Sequence, residues 1–156
     1  MGSGQLWSDI QSGARWVGDK VDSGVNSVKK WFGSTFGGGS SPGDPDWNGG
    51  FNSFRKLKDY LGDPGKGNVY HHIVEQSQIK NNRAGFDATW VHNVNNVVKV
   101  SNSMNQTINR FYSGKQDIAG FVNTGSQTFR DWITTKSFQE QYEWGIKVLN
   151  YFGVDV

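Results

Sequence analysis

Residues 68–74, NVYHHIV, and residues 97–100, VVKV, are the two stretches that decide the predicted fold. Both are short and rich in β-branched or aromatic residues, which is typical of strands. A helix is predicted from Ser103 onwards because the apolar residues that follow recur at helical spacing. These residues are Met104, Ile108, Phe111 and Tyr112. The sequence therefore predicts two short strands followed by a helix.

Three more helices are predicted around this unit. A short helix over residues 51–61 opens the region, and two others are expected over 125–135 and 137–152. In the last of these, Ser137 and Glu140 have the spacing of a capping box, which marks a helix N-terminus. The predicted fold class is α+β, with a mostly helical domain around one small pair of strands.

Composition divides the chain into three parts. Residues 33–50, GSTFGGGSSPGDPDWNGG, are dominated by Gly, Ser, Pro and Asp, and such a composition predicts a flexible linker. Residues 1–32 contain valines at the spacing of one helix face, so an amphipathic helix is predicted there. We interpret it as a connector from a larger parent protein. Residues 51–156 are predicted to be the globular domain.

Length and composition exclude several classes of protein. The 156 residues include no Cys, so the chain has neither a disulfide framework nor a Cys-based zinc site. No apolar run approaches the roughly 20 residues that a membrane span needs, and no stable membrane association is expected. A membrane-active role for residues 5–32 is a weaker alternative, because acidic residues offset the lysines of that segment. The region from Arg55 to Asp155 carries 12 basic and 9 acidic side chains, a net charge of +3.

Histidine and asparagine concentrate between His71 and Asn109. His71 and His72 are adjacent on the predicted strand, where successive side chains point to opposite faces. Asn105 and Asn109 lie four residues apart on the predicted helix, which places two carboxamides on one face. Asn is a poor residue for a helix interior, so this pair indicates a role other than helix propensity. The alternative is two solvated polar residues on an exposed face.

These motifs, in this order, resemble the HNH/endonuclease VII superfamily. More narrowly, they are similar to the nuclease toxin domains at the C-termini of bacterial polymorphic toxins, such as Rhs, wall-associated and LXG proteins. The resemblance covers about residues 68–152 and rests on HHIVEQ (71–76), HNVNNVVKV (92–100), NQTINRFYS (105–113), FRDW (129–132) and SFQEQY (137–142). It implies a ββα-metal finger, in which two short strands and a helix hold one divalent ion.

The resemblance also implies a role for each motif residue. It makes His71 a metal ligand and His72 the general base that takes a proton from the attacking water. An imidazole suits the second role because its pKa lies near neutrality. Asn96 takes the position that braces the metal loop or orients the base. His92, which the motif does not assign to the metal, is interpreted as structural or loop-bracing.

The remaining ligand positions depart from the commoner pattern. Asn105 stands where many relatives have His, and Asn109 lies one turn further as a second oxygen donor. Glu75 is a further candidate ligand if the strand stays regular past Val74; otherwise it is a surface carboxylate. Because oxygen donors suit hard cations, Mg²⁺ or Mn²⁺ is favoured, with Zn²⁺ as an alternative. The Asn at position 105 is also compatible with a finger that has lost its activity.

Basic residues near the motifs are candidates for binding the phosphate backbone. Arg83, in the loop between the strands, and Arg110, on the helix, are the preferred candidates, with Lys80 beside them. The others before the finger are Arg55, Lys56 and Lys58.

The resemblance implies a metal-dependent endonuclease toxin that hydrolyses nucleic-acid phosphodiester bonds, with DNA favoured over RNA. Such a domain is the C-terminal effector of a secreted polymorphic toxin. It is secreted or injected by a bacterium and acts in the target-cell cytoplasm. Its expected partners are a larger delivery protein and a cognate immunity protein. The alternative, from another functional class, is a degenerate finger that binds nucleic acid or protein without catalysis. Asn105, in place of the commoner His ligand, favours this alternative.

Overall fold

The structure, a computed structural model, describes Trp47 and residues 49–156. The helix predicted within residues 1–32 and most of the linker predicted over 33–50 lie outside the described residues. In chain order the helices and strands are α1 (Phe54–Leu61), β1 (Asn68–His72), α2 (Ala88–Val91), β2 (Val97–Ser101), α3 (Asn102–Ser113), β3 (Lys115–Ile118), β4 (Val122–Thr128), α4 (Phe129–Ile133) and α5 (Phe138–Tyr151). Two 3₁₀ turns, Gln76–Ile79 and Val94–Asn96, lie between β1 and β2. The predicted mixture of helices and short strands is confirmed.

Strands β1 and β2 form an antiparallel pair, and helix α3 follows β2 directly. The register runs from Asn68 opposite Ser101 to His72 opposite Val97. Ser101 ends β2 and also caps α3, because its Oγ accepts a hydrogen bond from the Met104 amide at 3.1 Å, a typical N-cap arrangement. The predicted order of two strands and a helix is therefore confirmed, although β1 ends at His72 and not at Val74.

Aromatic and aliphatic side chains of α3 and α4 pack into the core of the unit Asp46–Tyr142. Ile108 and Phe129 are fully buried. The Phe129 ring meets the Tyr112 ring edge-on with centroids 4.7 Å apart and lies 4.9 Å from the Phe111 ring. This packing fixes α4 against α3 and so determines where the first turn of α4 presents its polar side chains.

A second antiparallel pair, β3 with β4, replaces part of a predicted helix. The helix predicted over 125–135 is wrong for residues 125–128, which belong to β4. The Thr124 hydroxyl of β4 links the two strands by accepting from the Gln116 amide of β3 at 2.9 Å, and it donates to the Gln127 carbonyl of its own strand at 2.7 Å. Helix α4 begins only at Phe129, where Thr128 caps it.

The end of the predicted linker is packed, so the linker prediction is wrong at Trp47 and Gly50. The Trp47 ring is buried edge-on against Phe138 and Tyr142, with centroids 5.0 and 5.2 Å away. A Cβ on Gly50 would lie 1.7 Å from the Thr89 carbonyl oxygen, so a side chain there would require the backbone to move. The packed body therefore begins at least as early as Trp47.

Helix α5 begins with the predicted capping box. The Glu140 amide donates to Ser137 Oγ at 3.2 Å, and the Ser137 amide donates to Glu140 Oε2 at 2.9 Å. Contacts divide the described chain after Tyr142, so Glu143–Val156 belong to a different compact unit from Asp46–Tyr142. Across Trp47 and residues 49–156, every helix is too short or too polar to cross a membrane.

Candidate active site

A cleft of about 620 Å³ lies where the end of β1 faces α3 and α4. Its polar lining includes six side chains with candidate chemistry: His71, His72, Glu75, Asn105, Asn109 and Arg130. Five of these six are residues that the sequence predicts for the site, and the structure brings them together from positions up to 38 apart in the chain. Arg130 is the one that sequence reasoning did not select.

His71 faces helix α3 and contacts Asn105. Its Nδ1 lies 3.0 Å from Asn105 Oδ1, and the side chain is 7% exposed. Burial lowers the pKa of His71, and the hydrogen bond to Asn105 opposes this only in part. The imidazole is therefore neutral at neutral pH, which is the form that coordinates metals.

His72 points to the opposite face of β1, as strand alternation requires. Its Nε2 lies 3.3 Å from Nδ1 of His92, and its ring meets the Phe54 ring edge-on at 4.6 Å. Burial is the main cause that lowers the pKa of His72 to about 3, with smaller contributions from His92 and His71. Such an imidazole is neutral but weakly basic. A phosphodiester in the cleft would raise this pKa, because a nearby negative charge favours the protonated ring.

His92 is a buried partner of His72, in agreement with its interpretation as a bracing residue. It lies at the end of α2, where its amide donates to the Ala88 carbonyl at 2.8 Å. Its ring stacks on Phe54 with an interplanar angle of 7° and a centroid distance of 6.2 Å. Burial lowers the pKa of His92. The Phe54 and His92 rings together fix the position of His72.

Asn96 braces the chain that leaves β1. The side chain is fully buried. Its Oδ1 accepts from the Val74 amide at 2.9 Å, and its Nδ2 donates to the carbonyls of Val74 and Val91 at 3.0 and 2.9 Å. These bonds end β1 after His72, because the backbone of Val74 pairs with a side chain instead of a strand. Asn96 thus acts on the two histidines through the backbone.

Asn105 and Asn109 both line the cleft from α3, as their spacing predicts. Asn105 is half-buried and Asn109 is exposed. Glu75, the third candidate ligand, is engaged elsewhere. Both of its carboxylate oxygens accept hydrogen bonds from Arg130, at 2.8 to 3.1 Å. The structure therefore offers two carboxamides and one imidazole, without an unpaired carboxylate from Glu75.

These donors fit a weakly held hard cation. His71, Asn105 and Asn109 would hold such an ion through one imidazole nitrogen and two carboxamide oxygens, and oxygen donors suit hard cations. Within Trp47 and residues 49–156, no group of three or more His, Cys, Asp or Glu side chains has the spacing of a metal site. Since Mg²⁺ sites commonly include substrate phosphates, a substrate would have to complete this one.

The preferred phosphate-binding candidates, Arg83, Arg110 and Lys80, lie outside the cleft. Arg83 forms an ion pair with Asp131 and donates to the Thr134 hydroxyl at 3.4 Å. Arg110 and Lys80 are exposed and are not part of the cleft wall. Among the described cations, the cleft is lined by Lys58, which the sequence also offers as a candidate, and by Arg130, which it does not. In the sequence, Arg130 lies within the FRDW motif at residues 129–132, but no spacing pattern connects this motif with His71.

No family model, curated protein or solved structure matches the chain. The functional interpretation therefore rests on the cleft itself. Chemically, the cleft combines two neutral imidazoles, two carboxamide oxygen donors and two cationic side chains. Such a set can bind an anionic ester, accept a proton and hold a hard cation.

Proposed function

We propose that this chain is a metal-dependent endonuclease that hydrolyses phosphodiester bonds of nucleic acid. The observation that carries the proposal is the meeting of His71, His72 and Asn105 in one cleft on the β1, β2 and α3 unit. Phosphodiester hydrolysis needs a proton acceptor for water and positive charge near the phosphate. DNA is favoured over RNA as the substrate because of the resemblance to the HNH/endonuclease VII superfamily.

Within this proposal the two histidines act on different parts of the reaction. His72 accepts the proton of the attacking water on an imidazole nitrogen, while His92 and Phe54 hold its ring in place. His71, Asn105 and Asn109 would hold Mg²⁺ or Mn²⁺, which supplies Lewis-acid stabilisation of the phosphate charge when bound. Lys58, which also lines the cleft, attracts the phosphate backbone.

The biological setting is also a proposal. As a toxin domain, the chain would be the C-terminal effector of a secreted or injected bacterial protein and would act in the target-cell cytoplasm. A cognate immunity protein would then cover the cleft or the substrate surface. Co-purification with the product of the neighbouring gene, together with loss of cleavage in that complex, is the test of this setting.

The test of the activity is cleavage by the purified chain. We expect plasmid DNA, and to a lesser degree total RNA, to be cut in Mg²⁺ or Mn²⁺ and to stay intact in EDTA. His72→Ala should lower the cleavage rate by about 10² or more while circular dichroism shows an unchanged fold. Cleavage that persists in EDTA, or that continues at the wild-type rate in folded His72→Ala, would contradict the proposal.

A second candidate function is a binding module without catalysis. The contact that favours it is the ion pair between Glu75 and Arg130, because it removes from metal binding the one carboxylate among the described residues that line the cleft. This candidate predicts that nucleic acid binds equally well in EDTA and in Mg²⁺ and is not cut. It further predicts that no metal among Mg²⁺, Mn²⁺ and Zn²⁺ restores cleavage.

A further inference from the structure

Arg130 is held in the cleft by two partners that leave part of its guanidinium unused. Its Nε donates to Glu75 Oε1 and Oε2 at 3.0 and 3.1 Å, and its Nη2 donates to Oε2 at 2.8 Å. Its Nη1 donates to Ser113 Oγ at 3.0 Å. A guanidinium has five N–H groups. One N–H on Nη1 and one on Nη2 therefore have no partner within the described part of the chain.

The exposure of the two charges shows which one the cleft presents. The Arg130 side chain is 26% exposed, whereas the Glu75 side chain is 13% exposed. Both residues line the cleft together with His71 and Asn105. The carboxylate is thus the better buried partner, and an anion that enters the cleft meets the guanidinium. The hydrogen bonds that Arg130 donates to Glu75 also raise the pKa of Arg130, so its charge is permanent.

A second ion pair on the same helix has the opposite arrangement. Arg83 pairs with Asp131, the residue next to Arg130, but here the carboxylate is 50% exposed and the guanidinium 30%. Neither residue lines the cleft. Each of the two ion pairs thus has one member on helix α4. The pair of Arg130 presents a cation to the cleft, and the pair of Asp131 presents a carboxylate to solvent. The second pair is a natural internal control for the first.

We propose that Arg130 binds a phosphate of the substrate through its two unpartnered Nη hydrogens, with Glu75 as the positioning residue that fixes the plane of the guanidinium. The proposal rests on the proposed endonuclease function and names a residue that binds the substrate of that site. Arginine suits this role because its planar fork matches two phosphate oxygens at once. Ser113 and Glu75 hold the fork in place before the substrate arrives, which lowers the entropy that binding costs.

The test measures binding apart from cleavage. A fluorescein-labelled single-stranded DNA oligonucleotide is titrated with the full chain in EDTA, over a series of salt concentrations, and binding is read by fluorescence anisotropy. We expect Arg130→Gln to weaken binding about tenfold, as for loss of a charged hydrogen bond. It should also reduce the slope of log K against log salt by about 0.7, the value for one phosphate contact on a single strand.

Two further variants separate phosphate binding from a purely structural ion pair. Glu75→Gln breaks the same ion pair and removes a negative charge, but it keeps one side-chain oxygen that can accept from the guanidinium. The fork therefore stays positioned, and binding should stay equal or become tighter. If the pair were only structural, Glu75→Gln and Arg130→Gln would weaken binding alike.

Arg83→Gln removes the same charge from outside the cleft, so it should keep the wild-type salt slope. Thermal melts confirm that each variant is folded at the assay temperature. If Arg130→Gln does not fold, Arg130→Lys replaces it, and Arg130→Lys is expected to keep only part of the wild-type affinity.

The outcomes separate this inference from the proposed activity. An unchanged salt slope in Arg130→Gln, or no binding of the oligonucleotide by the wild-type chain, would overturn the role of Arg130 even if the protein cuts plasmid DNA. Conversely, the expected loss of binding in Arg130→Gln supports that role even if no metal produces cleavage. In that case it is the endonuclease proposal that fails.

Discussion

Strand β1 places two adjacent histidines in two different environments. On the side of α3, which we call the Asn105 side, His71 meets the carboxamide oxygen of Asn105 at 3.0 Å. On the opposite side, which we call the His92 side, His72 meets another imidazole at 3.3 Å and the edge of the Phe54 ring. The Asn105 side therefore offers oxygen donors to a hard cation, whereas the contacts described for His72 on the His92 side are an imidazole nitrogen and an aromatic ring. Because their contacts differ, the two histidines are suited to different tasks.

The pKa values of the two rings follow from the same difference. Burial lowers the pKa of both, but Asn105 partly restores the proton affinity of His71, whereas His92 lowers that of His72 further. A neutral imidazole beside oxygen donors is suited to holding an ion. A neutral imidazole fixed by neighbouring rings is suited to accepting a proton from water once the substrate is present.

The largest expected effect comes from removing the imidazole on the His92 side. His72→Ala should lower the cleavage rate by about 10² to 10⁴, the usual contribution of a general base. The Mg²⁺ concentration for half-maximal rate should stay the same, because His72 does not contact the oxygen donors. Steady-state cleavage of plasmid DNA across a Mg²⁺ titration measures both quantities. An increase in the Mg²⁺ requirement would instead place His72 among the ligands and remove the proposed division of tasks.

The two sides also depend on the brace that holds the end of β1. Asn96→Ala should lower the free energy of unfolding by about 3 kcal/mol, because it leaves buried polar groups of Val74 and Val91 without partners. Urea unfolding measures this loss. Asn95→Ala is the matched control, since the Asn95 side chain is not part of this bracing network, and it should change stability by less than about 0.5 kcal/mol. Equal effects at the two positions would show that Asn96 is not the brace.

Acid should destabilise the fold through the same histidines. The unfolded state binds a proton on each ring below a pKa of about 6.5, while the folded state holds the pKa of His72 at about 3. The contribution of the neutral histidine rings to the free energy of unfolding is therefore complete above pH 6.5, and it is lost as the pH falls from 6.5 towards 3. The slope is at most about 1.4 kcal/mol per pH unit for each histidine. Urea unfolding at pH 7, 6, 5 and 4 should show the loss, and His72→Gln should reduce it. A stability that rises on acidification would contradict the neutral state of these rings.

Much of this comparison follows from short-range sequence patterns. The strands with His71 and His72 and the helix with Asn105 were predictable because apolar residues recur with strand or helix periodicity there. By contrast, the ion pair of Glu75 with Arg130 joins residues 55 positions apart, and no local pattern encodes such a contact. Residues 125–128, GSQT, contain no apolar residue, so periodicity does not distinguish strand from helix there. Trp47 lies among linker-like residues, and only tertiary packing reveals that its ring is buried.

The smallest expected effect tests the Asn105 side. Asn105→Ala should raise the Mg²⁺ concentration for half-maximal cleavage by about tenfold, comparable with the loss of a supporting group at a metal site. Much of the rate should return at saturating Mg²⁺, because the proton acceptor on the His92 side is untouched. Asn105→His should shift the preference towards Zn²⁺, since imidazole suits that metal better than Mg²⁺. Metal titrations of cleavage distinguish these variants from His72→Ala, which should lose rate at every metal concentration. If Asn105→Ala cut like wild type throughout, Asn105 would be only the hydrogen-bond partner of His71, and the ion would have to be held by His71 and Asn109 alone.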